Sequence, residues 1–287
     1  MKYRDRNGIE QNDTTSQDNF LEKLYGSSLG RALLQLITRP IVSKAIGLFM
    51  DSRASSFIIK PFIIKNNIDK NDYVNTEYHS YNEFFTRRIK HIKRPIDLNL
   101  NHVISPSDGK ISAYPIDSNS IFSIKDSKYS ISSLLKSKRL ARYYMGGYCV
   151  IIRLTVDNYH RYCYIDNGKK SDNYFIPGVL HTVNPIVLDH INIYKENSRE
   201  YTLLKTDHFG TVAQIEVGAL MVGRINNHMG AGYMHKGFEK GMFEFGGSTI
   251  VLLFQPNKVV LDQDLFDNTK DGYETIIKMG EKIGKKL

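Results

Sequence analysis

Residues 245–255 read F-G-G-S-T-I-V-L-L-F-Q. From Ser248 to Gln255 the run is apolar on both faces, the pattern of a strand buried on two sides. Gly246 and Gly247, just before it, lack the Cβ that forbids positive φ and close backbone approach. The Ser248 hydroxyl is thereby offered to its own preceding carbonyl, at Gly247, with little steric cover. Taken alone, Gly-Gly-Ser-Thr is most often a hairpin turn entering a core strand. The G-x-S-x-G elbow of hydrolases is absent.

Further strands flank this one. In YCVIIRLTV, Tyr148 to Val156, residues Tyr148, Val150, Ile152, Leu154 and Val156 share one face by the period-2 rule. TVAQIEVGALMVGRI, from Thr211, is another strand region, with Gly218 marking a bulge or close approach. Glycine and proline turn signals separate these pieces. The fold class is therefore α+β, with a β-rich core of barrel-like or sandwich arrangement over 101–264. Residues 265–287 read as a Lys-rich tail with some helical spacing. Residues 1–18 are polar and read as disordered.

Residues 1–100 form a separate N-terminal region, helical from about 19 to 50. Leu29, Leu33, Leu36 and Ile37 lie on one helix face, and Pro40 ends or kinks that helix. IVSKAIGLFM and SSFIIKPFIIK follow. Arg31, Arg39, Lys44, Arg53, Lys60 and Lys65 punctuate the apolar runs, and no acidic residue lies between Glu22 and Asp51. This is the pattern of a basic amphipathic surface lying on an anionic membrane, or of a helical subdomain with solvated lysines.

Composition narrows the function. With 39 Lys and Arg against 30 Asp and Glu the charge is +9, which favours nucleic acid or anionic lipid as partner. Two cysteines, Cys149 and Cys163, exclude a disulfide framework and four-cysteine zinc sites. The longest stretch without charge, Asn173 to Leu188, is too short and too broken by proline for a spanning helix. The N-terminus has no secretory pattern. There is no G-x-G-x-x-G, Walker A or H-E-x-x-H motif, and the histidines do not cluster at metal spacing. A metal site is not expected.

Four segments besides Gly247-Ser248 carry candidate chemistry. SPSDGKIS, Ser105 to Ser112, holds Asp108 in what is otherwise an ordinary Asp-Gly hairpin turn. DNYHRYCY, Asp157 to Tyr164, holds His160. PGVLHTV, Pro177 to Val183, holds His181. In Tyr81 to Asp97, Arg87, Arg88, Lys90, Lys93 and Arg94 form either a phosphate-receiving run or a solvated helix face.

Together and in this order, NEFFTRRIK, KRPID, SPSDGKI, YHR at 159–161, PGVLHTVNP, ENSREY, FGTVAQIEVGALMVGRI and FGGSTIVLLF resemble the phosphatidylserine decarboxylase family, pyruvoyl-dependent enzymes of bacterial type. GGST stands where L-G-S-T is commoner. The resemblance implies a proenzyme with a hammerhead or barrel-like core and a helical membrane-binding part. Ser248 Oγ attacks the Gly247 carbonyl, and elimination from the resulting ester leaves a pyruvoyl group at position 248. Fragments 1–247 and 248–287 stay associated. The pyruvoyl carbonyl forms a Schiff base with the substrate amine, and loss of CO2 turns phosphatidylserine into phosphatidylethanolamine.

The resemblance further implies Asp108 as the acid that orients the cleavage base. The usual base position is Cys163 here, and an aspartate position is Asn158. His160 and His181 are therefore the candidate bases. Cys163 as a thiolate is weaker, and His160 is also the candidate proton donor in decarboxylation. The implied partner is an anionic phospholipid membrane rather than nucleic acid, at the cytoplasmic face and peripheral, and a homo-oligomer is compatible with it. Two other classes stay open. One is a soluble pyruvoyl-dependent amino-acid decarboxylase. The other is a non-catalytic carrier module with a lipoyl-like core, for which Lys240-Gly241 is a poor hairpin tip.

Overall fold

The computed structural model describes residues 2–11, 40–124, 127–180, 195–218, 224–245 and 248–287. Leu29, Leu33, Leu36, Ile37, Arg31, Arg39, His181, Gly246 and Gly247 lie outside the described residues, as does the stretch 219–223.

The strand Ser248–Phe254 organises the molecule, and every one of its seven residues is buried. Ile250, Leu252 and Phe254 pack into one core and Val251 and Leu253 into another, so the alternation of a strand feeds two layers. Its neighbour Tyr148–Leu154 divides in the same way, with Val150, Ile152 and Leu154 on one side and Cys149 and Ile151 on the other.

These strands lie mid-way along an 11-stranded sheet. It runs through Gly232–Met234, Gly168–Lys170, Arg199–Thr206, Thr211–Val217, Ser248–Phe254, Tyr148–Leu154, Gly109–Pro115, Tyr273–Ile277, Lys2–Arg4 and Glu10–Gln11, with Tyr174–Ile176 also paired to Arg199–Thr206. The barrel-like expectation is corrected here. Among the described residues the sheet stays open, with a different strand at each end, and its central strands are covered on both faces instead of closing on themselves. The α+β, β-rich class stands. Two three-stranded sheets pack beside it: Ile225–Asn227, Glu239–Phe243 and Arg161–Cys163; and Val259–Leu261, Lys282–Lys286 and His102–Ile104.

Both chain ends differ from expectation. Residues 2–11 form a two-stranded hairpin, and its first strand adds in parallel to Tyr273–Ile277. The polar sequence hides this because cation–π and ion-pair contacts hold it: Arg4 lies over the Tyr273 ring and Arg6 pairs with Asp262 and Asp264. The Lys-rich C-terminal segment is helical only over Gln263–Lys270. Two strands follow, and alternate residues such as Thr275, Ile277 and Ile283 are buried. The Asp108-Gly109 turn is not a hairpin, since the strands it joins belong to different sheets.

On the N-terminal side, a helix over Pro40–Asp51 leads through a 3-10 turn, Arg53–Ile58, into the helix Ile59–Lys65. The helix Tyr81–Phe85 packs against them, its start capped by Ser80 Oγ, which accepts from the Glu83 N–H.

Burial works to raise the Asp262 carboxyl, but the Lys282 ammonium and the Arg6 guanidinium outweigh it and hold the group below its ordinary 3.8. A carboxyl lowered in the folded state contributes stability above its unfolded-state value and loses it as pH falls through the folded one. In urea unfolding, the stability gap between the wild type and Asp262→Asn should therefore be widest near neutrality and close below about pH 4.

Candidate active site

Ser248 opens the central strand and is 1% exposed. It stands opposite Leu154, while Thr249 pairs with Arg153 on one side and Val217 on the other. Lys110 faces Arg153 from the next strand, so Lys110, Arg153 and Thr249 form one row across three strands. Just past that row lie Asp108-Gly109, the chain leaving Leu154, and Ser248. The register alone thus gathers three of the predicted segments at one end of the sheet. Gly109 is required there: its φ is +153°, and a Cβ would come within 2.8 Å of the Arg153 carbonyl oxygen.

The chain leaving Leu154 carries His160. Asn158 Oδ1 accepts from the Thr155 N–H and hydroxyl, at 2.9 and 3.1 Å, and folds the segment into a tight loop. His160 Nδ1 lies 2.9 Å from the Asn158 carbonyl oxygen. A carbonyl only accepts, so Nδ1 carries the proton, and the lone pair of the neutral ring lies on Nε2. The His160 carbonyl in turn accepts from the Phe243 N–H at 2.9 Å, on the strand that leads towards Ser248.

The segment NEFFTR grips this loop from the outside. The Phe85 ring lies against the His160 ring, tilted by 34°, with centroids 3.9 Å apart. Arg87, 2% exposed, donates to the carbonyls of Asp157 and Asn158 at 2.9 and 3.4 Å. Its guanidinium also lies over the Tyr73 and Phe84 rings. Arg161 reaches back and donates to the Thr86 carbonyl at 2.8 Å and to Glu239 at 2.6 Å. Two of the five basic residues of the run, Arg87 and Arg94, are therefore turned inward. Arg94 holds Asp108, while Arg88, Lys90 and Lys93 are exposed, Lys93 pairing with Asp72 and Arg88 lying 3.6 Å from Glu239.

Asp108 sits in a forked pair with Arg94, at 2.7 and 2.5 Å, and accepts from the Met279 N–H at 2.9 Å. Its surroundings are thus built by 94 and 279, whereas the His160 tautomer is set by a backbone carbonyl. Cys163 is buried, and burial pushes its thiol up to about 12, which leaves it protonated near neutrality. The strand Val179–Leu180 pairs with Lys195–Glu196, and His181, which follows it, is outside the described residues.

Lys240 is not at a hairpin tip. It lies within the strand Glu239–Phe243, fully buried, and donates to Glu216 at 2.8 Å and to Asn227 at 2.6 Å. Burial pulls the lysine down and pushes the glutamate up, and their pairing opposes both. A lysine so enclosed does not serve a carrier module.

Sequence reasoning placed Arg87 only in the basic run and gave no role to Phe85 or the Asn158 carbonyl. Nothing in the sequence signalled which groups these would meet.

With this geometry in place, similarity to known proteins becomes informative. The pattern of the phosphatidylserine decarboxylase family matches residues 81–285. The chain is 48% identical to phosphatidylserine decarboxylase proenzyme 2 of Clostridium acetobutylicum, over 92% of this chain and 91% of that one. It is 42% identical to the phosphatidylserine decarboxylase proenzyme of Ruminiclostridium cellulolyticum, over 92% and 90%, and 39% identical to that of Clostridium novyi, over 94% of each. The fold and site define a chain with a serine at the start of a buried central strand, at the same end of the sheet as a loop that carries an oriented histidine. It belongs to the phosphatidylserine decarboxylase family.

Removing the Arg87 guanidinium leaves two loop carbonyls with fewer donors. Arg87→Met should cost roughly 1–3 kcal/mol of stability in chemical unfolding. Arg87→Lys should recover only part of that, since one ammonium cannot reproduce the planar fork.

Proposed function

We propose that the protein is a self-processing decarboxylase that converts phosphatidylserine to phosphatidylethanolamine. The observation that carries this reading is the placement of Ser248 as the first residue of the central strand, at the same end of the sheet as the His160 loop. His160 Nε2 takes the serine proton, and Ser248 Oγ attacks the carbonyl of residue 247. The amide becomes an ester. Loss of the Cα proton then breaks the ester bond, residue 247 keeps the carboxylate, and residue 248 becomes dehydroalanine. Water replaces its nitrogen, ammonia leaves, and a pyruvoyl group remains. Asp108, paired with Arg94, fixes the charge balance at this end of the sheet. Burial, which pushes the Cys163 thiol up to about 12, argues against it as the base.

Position 248 suits such a group. It is enclosed, and the strand behind it stays paired with Tyr148–Leu154 and Thr211–Val217 after the cut, which supports fragments 1–247 and 248–287 remaining together. The pyruvoyl group supplies the electron sink for loss of CO2. His160, lying against Phe85 and sheltered from water, is the proton donor to the substrate carbon.

The lipid substrate gives the N-terminal surface a role. Leu48, Phe49, Phe57 and Ile64 are exposed large hydrophobics, interleaved with exposed Arg53, Lys60 and Lys65. Among the described residues no helix is long and apolar enough to cross a membrane. A peripheral site on anionic lipid at the cytoplasmic face fits this pattern. A soluble amino-acid decarboxylase would have no use for it.

Purified wild type should run as two chains, and Ser248→Ala as one. Borohydride added with phosphatidylserine should tether lipid to fragment 248–287, and hydroxylamine should abolish activity. An intact, active wild-type chain refutes the reading. In the same assay His160→Ala and Asp108→Asn should process slowly, while Cys163→Ala processes normally. Normal processing by His160→Ala moves the base to His181.

Binding to anionic vesicles should weaken as salt rises and should fall in Phe57→Ser/Ile64→Ser, and alkaline carbonate should strip the protein. Each basic residue near the surface contributes about 1 kcal/mol, enough for salt to be decisive. Retention after carbonate contradicts a peripheral site.

A further inference from the structure

The chain approaches Ser248 from the strand Glu239–Phe243, and three successive backbone N–H groups on that approach are held. Phe243 donates to the His160 carbonyl and Glu244 to the Arg224 carbonyl, each at 2.9 Å. Phe245 donates to Asn82 Oδ1 at 3.0 Å. Two of these acceptors are backbone. The third is a side chain, reaching across from the helix Tyr81–Phe85.

The Asn82 amide is itself oriented. Its Nδ2 donates to Asp51 Oδ1 at 2.8 Å, which turns Oδ1 towards Phe245. The Phe245 ring stands edge-on to Tyr81 and Phe85, with centroids 5.3 and 5.6 Å away, and Phe85 carries His160 on its own ring. One short helix thus touches both the chain entering the cleavage point and the candidate base. On the far side, Ser248 and Thr249 are fixed by strand pairing to Leu154, Arg153 and Val217. Two residues separate these anchors.

Attack of a hydroxyl on the preceding carbonyl depends on a near-attack arrangement with reacting atoms about 3–3.5 Å apart, and a misplacement of about 1 Å costs on the order of a hundredfold. The downstream anchor is a sheet strand and has little freedom. The upstream anchor sets the remaining variable.

We propose that Asn82 is a positioning residue for self-cleavage, holding the chain upstream of Ser248 in the geometry from which the serine hydroxyl reaches the carbonyl before it. This rests on Ser248 being the cleavage point. Asn82 touches no reacting atom and acts through the Phe245 N–H.

The test follows cleavage of the full-length chain over time after cell-free synthesis, read on a gel. Asn82→Leu keeps the size and removes the acceptor, and should slow cleavage about tenfold or more. The exchange Asn82→Asp with Asp51→Asn keeps both contacts, with one carboxylate oxygen accepting from Phe245 and the other from the new amide. It should restore cleavage to within about threefold of wild type. The unfolding midpoints of Ser248→Ala and Ser248→Ala/Asn82→Leu, both uncleaved, should lie within a few degrees of each other, a match that general loss of fold would not give. If Asn82→Leu cleaves at the wild-type rate, or if the exchange pair folds and stays slow, the proposal falls while the decarboxylase reading stands. A wild-type chain that stays whole overturns both.

Discussion

Everything at the candidate site depends on one strand that cannot move. Ser248–Phe254 is paired along both edges and buried on both faces, so its backbone groups are satisfied only where it is. Breaking the chain in front of such a strand does not free it. A new end appears, but every hydrogen bond and apolar contact behind it persists. A reactive group made from the first residue of that strand inherits a fixed position without further cost in ordering.

The rest of the site is assembled around that fixed point by contacts between segments far apart in the chain. Asp108-Gly109 arrives at the head of the strand beyond Tyr148–Leu154, and only a glycine allows its approach to the Arg153 carbonyl. His160 arrives on a loop folded by Asn158 and Thr155, then clasped by Phe85 and Arg87 from one side and Phe243 from the other. Most of these holds are donors meeting backbone carbonyls, which set direction as well as distance. The His160 ring is therefore held in one direction, with Nδ1 on the Asn158 carbonyl and the lone pair left on Nε2.

The positive charge of the chain has two distinct uses. Arg6, Arg87, Arg94, Arg153 and Arg161 are turned inward, onto carboxylates or carbonyls, and hold segments together. Arg53, Lys60 and Lys65 stay exposed beside Phe57 and Ile64. Net charge summed over the sequence mixes the two environments.

The two-sided apolar run after Ser248 and the alternation from Tyr148 to Leu154 determined the central strands, because burial leaves a period in the sequence that needs no partner to be read. The ends of the chain misled, since the hairpin at 2–11 is held by ion pairs and strand addition, which leave no such period, and the strands at 273–286 are too short and too rich in charge for theirs to stand out. The open sheet in place of a barrel-like closure, the inward turn of Arg87, the protonated Cys163 thiol and the carbonyl that sets the His160 tautomer were decided only by tertiary structure. Each depends on which groups, distant in sequence, come to lie within about 3 Å of one another. Hydrogen-bond direction and desolvation are properties of that meeting, not of either residue alone.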